Sequence, residues 1–339
     1  MVRYYPVLKW KKGEKIALEK LESEQQRNVA PIIELVNDID PEDFNPSVIL
    51  NTFQGLFCPV YVDTEIIDDN SGNCLTAIVS AAEELEMPVY PVLSSSLILS
   101  KTLDSMLLKH CLFKIPVISE EDDPDTDVII EQIQALNPAN FGVILDIGPS
   151  VDKKYVGWQQ SFLRSFIKSQ HEFLSAAQTV ILCTSSFPDD IHDIESGEER
   201  RYKRYDYSIL CKIVSALKDD PLLDKLAYSD FGVAKFTDTD IDFSKLRHSP
   251  LPKVKYTTES EYIVLKGKRQ RGVMTVSYHD LAQKVVAASY YSGKDFSYGD
   301  ACIHEVASTP GRSGNATNWV TYCTNHHIVM LLEQISNLF

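Results

Sequence analysis

Short apolar runs alternate with longer stretches of helical periodicity over about the first 235 residues, and most of the runs end on a charged residue. The runs are Tyr4–Lys9, Val29–Glu34, Cys58–Asp63, Met87–Leu93, Leu112–Val117, Phe141–Asp146, Thr179–Thr184 and Leu226–Asp230. Their starts lie 25, 29, 29, 25, 29, 38 and 47 residues apart. Each interval suits one strand followed by one helix. Runs such as VAPIIEL, PVYPVL and GVILDIG are apolar on successive residues, as in parallel strands covered on both faces. Between them, Glu14–Gln25 repeats Ile16, Ala17 and Leu21 at helical spacing. Ser71–Glu86 does so with Ile78, Val79, Ala82 and Leu85, and Tyr155–Ala177 with Phe162, Phe166, Ile167 and Phe173.

This pattern predicts an α/β fold, a (β/α)8 TIM-like barrel over residues 1–243. An open doubly wound sheet is the alternative. Eight units is the number a barrel requires, and no GxGxxG or GxxxxGK[ST] loop follows any strand. The long polar stretch SSFPDDIHDIESGEERRYKRYD reads as a loop over the barrel mouth. From Phe243 the rhythm changes. Residues 244–339 read as an α+β extension packed on the barrel, with a strand pair EYIVLKG and GVMTVSY about the turn KGKRQRG, a helix His279–Ala288, a flexible GRSGNATNW loop and a last helix from His326.

Charge separates the two regions. The net charge is −15, but residues 1–243 hold 22 Lys/Arg against 41 Asp/Glu, whereas 244–339 hold 11 against 7. The basic tail is expected either to dock on the acidic body or to meet an anionic ligand, and it is the one segment suited to nucleic acid. KGKRQRG reads first as a solvated turn, with phosphate binding as the sharper alternative. No apolar run approaches the ~18 residues of a membrane span. The amino end, with its basic segment after a few apolar residues, does not read as a secretory signal, so a cytoplasmic protein is expected. Seven scattered cysteines without a CxxC pair point to neither a disulfide framework nor a zinc finger.

Side chains at the carboxyl ends of barrel strands converge on one face. Here they are Lys9 and Trp10, Glu34, Asp63 with Glu65, Ser94 to Ser96, Asp146, Thr184 to Ser186 and Asp230; Lys114 lies within the fifth strand and Lys235 follows the eighth. Lys9, Glu34, Asp63, Asp146 and Asp230 are the candidate catalytic residues. Glu34, Asp63 and Asp146 are the candidate ligands for a Mg²⁺ or Mn²⁺ ion. Capping of helices and internal ion pairing explain the same residues without any reaction. The serines lack a GxSxG elbow and read as helix caps. In TNHHIVMLLEQI, Thr324 or Asn325 is expected to cap a helix, placing His326 and His327 in its first turn, one packed and one exposed.

Several motifs carry a resemblance: YYPVLKWKKGEKIAL, VAPIIEL, FSYGDACI, GNATNW and NHH. In this order, and through almost the whole chain, they resemble the beta protein family, named after a protein of a satellite bacteriophage. The resemblance implies a (β/α)8 protein carried in phage, prophage or bacterial defence loci, in some cases beside a toxic partner that the beta protein restrains. Carried over position by position, it points to Lys9, Glu14, Glu34, Ser297, Gly299, Asp300, Trp319, Asn325, His326 and His327. With Trp10, the last six of these are the candidate ligand-binding set together with Ser297. Tyr298 stands where family members often have tryptophan. A partner protein encoded in the same locus is expected, or an anionic small molecule or nucleotide. Two functions follow: a binding or regulatory module of an antiviral defence cassette, and a metal-dependent phosphoesterase or nucleotide hydrolase.

Overall fold

The computed structural model describes residues 2–36, 44–67, 69, 71–100, 103–118, 125–149, 153–188, 190–233 and 250–339. Eight parallel strands form one sheet: β1 (Val7–Lys9), β2 (Ile32–Glu34), β3 (Val60–Asp63), β4 (Val89–Leu93), β5 (Cys111–Pro116), β6 (Phe141–Pro149), β7 (Thr179–Ser185) and, after an inserted strand β8 (Glu199–Lys203), β9 (Leu226–Ser229). The sheet closes on itself just before β1, where Tyr4 bridges both Val29 and Tyr228. There the Tyr5 and Val7 N–H groups donate to Tyr228 and Asp230 carbonyls, each at 2.8 Å. The barrel is thus observed, as the eight-unit rhythm predicts.

Strand alternation sorts the side chains into two cores. Tyr5, Val7, Ile32, Tyr61, Val92, Leu112, Ile144, Ile181 and Ala227 fill the barrel interior. Their neighbours Leu8, Ile33, Val62, Phe113, Leu145, Leu182 and Tyr228 point outward to the helices. Those helices are α1 (Lys12–Glu19), α2 (Ser23–Arg27), α3 (Pro46–Asn51), α4 (Asn73–Glu84), α5 (Ser95–Ile98), α6 (Thr126–Leu136), α7 (Lys153–Ser169), α8 (His171–Ala176) and α9 (Tyr205–Ala216). The helical stretches read as single units near the amino end and before β7 are each two helices, broken at Lys20 and Gln170.

The carboxyl-terminal part departs from its sequence reading in three ways. It comprises β10 (Lys253–Thr257), β11 (Glu261–Lys266), the short hairpin β12 (Lys268–Gln270) and β13 (Val273–Val276), α10 (Tyr278–Ala287), α11 (Tyr298–Ser308) and α12 (Ala316–Leu338). First, β11 pairs with β10 and with β8, while the KGKRQRG turn joins only the short hairpin. The polar stretch after β7 is therefore not simply a loop over the mouth. It supplies an edge strand, and Phe187, Ile191 and Ile194 are buried with the carboxyl-terminal sheet. Second, GRSGNATNW is not a flexible loop throughout, because Asn315 starts α12 with a reciprocal cap to Asn318. Third, α12 is more than an appended tail. Its Ile328, Val329, Leu331 and Ile335 join Leu18, Tyr4 and Tyr228 in the outer core of the barrel. It fills the place of an eighth barrel helix, between α9 and α1, after the whole β10–α11 excursion.

Since Leu331 is fully buried in this seam, Leu331→Ala is expected to lower the unfolding free energy by about 2–5 kcal/mol. In urea denaturation, Val273→Ala, at a strongly exposed position, should change it by less than about 0.5 kcal/mol.

Candidate functional site

Along the run that ends in β2, Ala30, Ile32 and Glu34 share the inward face, so a segment that is apolar at its base delivers a carboxyl group to the top. The same logic lifts Lys9 and Asp63. The three stand in register on adjacent strands, Lys9 beside Glu34 and Glu34 beside Asp63. All three are buried. Across the mouth, Lys114 reaches Asp63 at 3.4 Å and the more exposed Glu65 at 2.9 Å. Burial opposes the Lys114 charge, but Asp63, Glu65, Glu34 and Asp146 outweigh it and raise its pKa well above the ordinary value. Asp146 is raised mainly by burial, offset in part by Lys114 and by the Gly148 N–H at 2.9 Å.

Two carboxyl groups are tuned towards neutrality. Burial pushes Glu34 up to about 7, against the pull of Lys114 and with the help of Asp63. Burial pushes Glu14, on the first turn of α1, up to about 8; a backbone bond at Lys11 opposes this and the neighbouring Glu34 adds to it. One oxygen of each, Oε2, has no hydrogen-bond partner among the described residues. Such a pair beside lysines can carry or deliver a proton near neutral pH.

The carboxylates do not converge as metal ligands. Among the described residues no group of three or more His, Cys, Asp or Glu side chains could hold an ion. The Lys114 ammonium itself stands among Glu34, Asp63 and Asp146, so the residues present do not fit a Mg²⁺ or Mn²⁺ ion there. Lys235 lies outside the described residues. The serine and threonine hydroxyls are used locally: Ser94 pairs with Ser96, Thr184 donates to the Gly148 carbonyl, and Ser185 and Ser186 accept from Phe187 and Asp206 N–H groups.

Asp230 is separated from this cluster. Ala227 and Phe231 face inward, so Asp230 faces outward, beneath α12. It accepts from the Tyr4 hydroxyl at 2.9 Å and from His327 Nε2 at 3.1 Å. Burial pushes its pKa up, but His327, Arg204 and Tyr4 more than reverse this and hold it below the usual value.

The histidines also differ from expectation. Helix α12 begins ten residues earlier than His326, so neither histidine lies in a first turn, and both are buried. His327 Nδ1 meets the Thr257 hydroxyl at 2.9 Å. His326 sits between the Asp300 carboxylate and the Thr257 carbonyl, each at 2.7 Å from a ring nitrogen. Both partners are acceptors, so the ring is held between two hydrogen-bonding groups on opposite sides. Asp300 also accepts from the Tyr256 hydroxyl at 2.7 Å and the Ser297 hydroxyl at 2.6 Å, while Ser297 caps α11.

The remaining motif positions lock helices together. A Cβ on Gly299 would lie 2.1 Å from the Tyr322 carbonyl oxygen, so only glycine lets α11 approach α12 this closely. Its N–H donates to Asn325, whose side-chain amide donates to the Ala17 carbonyl of α1. Trp319 donates to the Ser313 carbonyl and stacks on Tyr278. Trp10 donates to Thr52 and packs on Phe53.

Sequence reasoning missed the polar groups that complete this interlock. Arg204 is buried, with Nη1 donating to the Thr258 carbonyl at 2.9 Å and to Gln334 at 2.7 Å. Asp206 is buried beside it and accepts from the Tyr262 hydroxyl at 2.7 Å. The run RRYKRYD is so evenly charged that nothing in it singles out these two residues.

The raised carboxyl pair has a signed consequence. Between the ordinary 4.5 and their folded values of about 7 and 8, the native state holds more protons than the unfolded chain. Their contribution is thus fully present below pH 4.5 and is lost as pH rises through that window. Glu14→Gln and Glu34→Gln, followed by urea midpoints from pH 4.5 to 8, are each expected to flatten the decline.

No helix among the described residues is long and apolar enough to cross a membrane. A search of curated proteins finds no match. The Beta protein family, in contrast, matches residues 4–333, a span that includes the β1 and β2 strand ends, the Ser297–Asp300 cap and the buried histidine pair. The chain belongs to the Beta protein family.

Proposed function

We propose that this protein is a barrel-based binding and regulatory component of an antiviral defence or toxin-restraining cassette, acting in the cytoplasm. Its mouth takes an anionic ligand or an anionic segment of a partner protein encoded in the same locus. The observation that carries this reading is the arrangement of Lys114. Its ammonium compensates buried carboxylates on several strands yet remains partly exposed at the rim beside Glu65. A built, partly exposed rim of this kind suits recognition of a polar group that can exchange with Glu65. The motif residues of the carboxyl-terminal part support a scaffold role, because their polar groups are spent on one another. Capture of the locus-encoded partner by the wild-type protein in low salt is expected, with loss of capture by Lys114→Ala. Equal capture by both proteins would sink the mouth as the contact.

A second reading rests on a different observation. Glu34 and Glu14, held near neutrality beside Lys9 and Asp63, form an acid–base set suited to hydrolysis of a phosphoester or nucleotide. On this reading Asp63→Asn and Asp146→Asn abolish protection against phage while circular dichroism shows a folded protein. Intact protection with both variants rules it out.

A further inference from the structure

Two patches unrelated to the mouth are complementary to each other. The first is the outer face of α7. Its inward residues Val156, Leu163 and Ile167 anchor it to the barrel, and Gln159 donates to the Pro149 carbonyl. Outward, Tyr155, Trp158 and Phe162 stand exposed by 61%, 52% and 39%. Their i, i+3, i+7 spacing makes one ridge, and Trp158 contacts Phe162 with ring centroids 5.4 Å apart. Every charged residue of α7 is basic: Lys153, Lys154, Arg164 and Lys168. In the adjacent α9 the only acid, Asp206, is buried, and Lys212 is exposed. Three large aromatics with an arginine on one helix match the composition of interface anchors, and the lysines add positive charge around them. With its own basic residues beside it, such a ridge is complementary to an acidic apolar hollow.

The second patch is such a hollow. At the base of the barrel, where β3 and β4 begin, a cavity of about 350 Å³ is lined by Phe53, Leu56, Cys58, Leu85, Met87 and Pro88. Leu85 and the flanking Phe57 are exposed by 57% and 62%. Glu86 lines the hollow, and the exposed Glu83 and Glu84 precede it at the end of α4, where Glu83 is engaged by Lys109 at 2.8 Å. Aromatic ridge and apolar hollow, basic flank and acidic rim are therefore paired by chemistry. They occupy different sectors of one barrel, because α7 follows β6 and the hollow lies under β3 and β4.

We propose that the chain self-associates head to tail, the Tyr155–Trp158–Phe162 ridge of one copy seating in the Leu85–Met87 hollow of a second copy. Because the two surfaces differ, the contact is heterologous. Each added copy presents a fresh ridge and a fresh hollow, so association continues until the rotation closes a ring. Charge pairing between α7 and the glutamate rim makes it weaken with salt.

Analytical ultracentrifugation over a concentration series tests this. The wild-type chain is expected to gain mass with concentration, less so in high salt. Trp158→Ala and, separately, the double change Glu84→Lys with Glu86→Lys each weaken association at least about tenfold. All three sites are exposed, so thermal melts should match the wild type. Mixing the two variants supplies the deciding result, since one retains a hollow and the other a ridge. Together they form a one-to-one pair that grows no further. A wild-type chain that stays monomeric overturns the proposal, as do variants that associate like the wild type. A mixture that pairs no better than its components does so too, whether the ridge then proves to meet an acidic foreign protein or an anionic polymer.

Discussion

The seam between β9 and β1 is the constraint on which the rest depends. A parallel barrel closes only if its last strand finds its first, and the outward side chains at that junction must then be covered by something. Here they are Tyr4, Tyr228 and Asp230, two phenols and a carboxylate, all buried. An apolar helix laid over them would leave a charge in a dry place at a cost of several kcal/mol. Helix α12 instead brings His327 to Asp230 and, one residue before it, His326 to Asp300. Adjacent residues lie about 100° apart on a helix. One histidine therefore faces the barrel and the other faces α11, and a single helix joins two layers of polar groups with Thr257 bonded to both rings.

That arrangement explains why the mouth and the motif residues are different things. The mouth cluster is made by inward positions of β1, β2, β3, β5 and β6. The interlock is made by outward positions and by the excursion between β9 and α12. Both contain buried acids, but their electrostatics diverge. Asp230 and Asp300 are met by histidines and tyrosine hydroxyls that satisfy them. Glu34 and Glu14 have burial as their main influence and retain an oxygen without a partner among the described residues. Unspent capacity of that kind is what a ligand or a proton in transit can use.

Much of this was legible in the chain. Eight runs at regular intervals gave the barrel because period and spacing are local properties. The inward position of Glu34 follows from Ile32 two residues earlier, and the same count puts Asp230 on the outer face, opposite to Ser229. What was not legible depends on long-range pairing. Strand β8 alternates exposed charged residues with the half-buried Arg200 and Tyr202, so it carries little hydrophobic signature and is a strand only because β11 lies beside it. The start of α12 was hidden because its reciprocal cap uses Asn315 and Asn318 instead of a serine and a glutamate. Misplacing that start by ten residues turned two mid-helix core histidines into apparent first-turn ligands.

The late position of α12 also bears on how the chain comes to be folded. Its Thr321 and Asn325 bond to Gly13 and Ala17, partners 308 residues away. During synthesis the first helix has its apolar and hydrogen-bonding face open until α12 has been made. Contacts of such sequence separation are slow to form and leave sticky intermediates exposed in the meantime. Helices α1 and α12 thus act as a clasp, and a chain without α12 is left with its barrel seam uncovered.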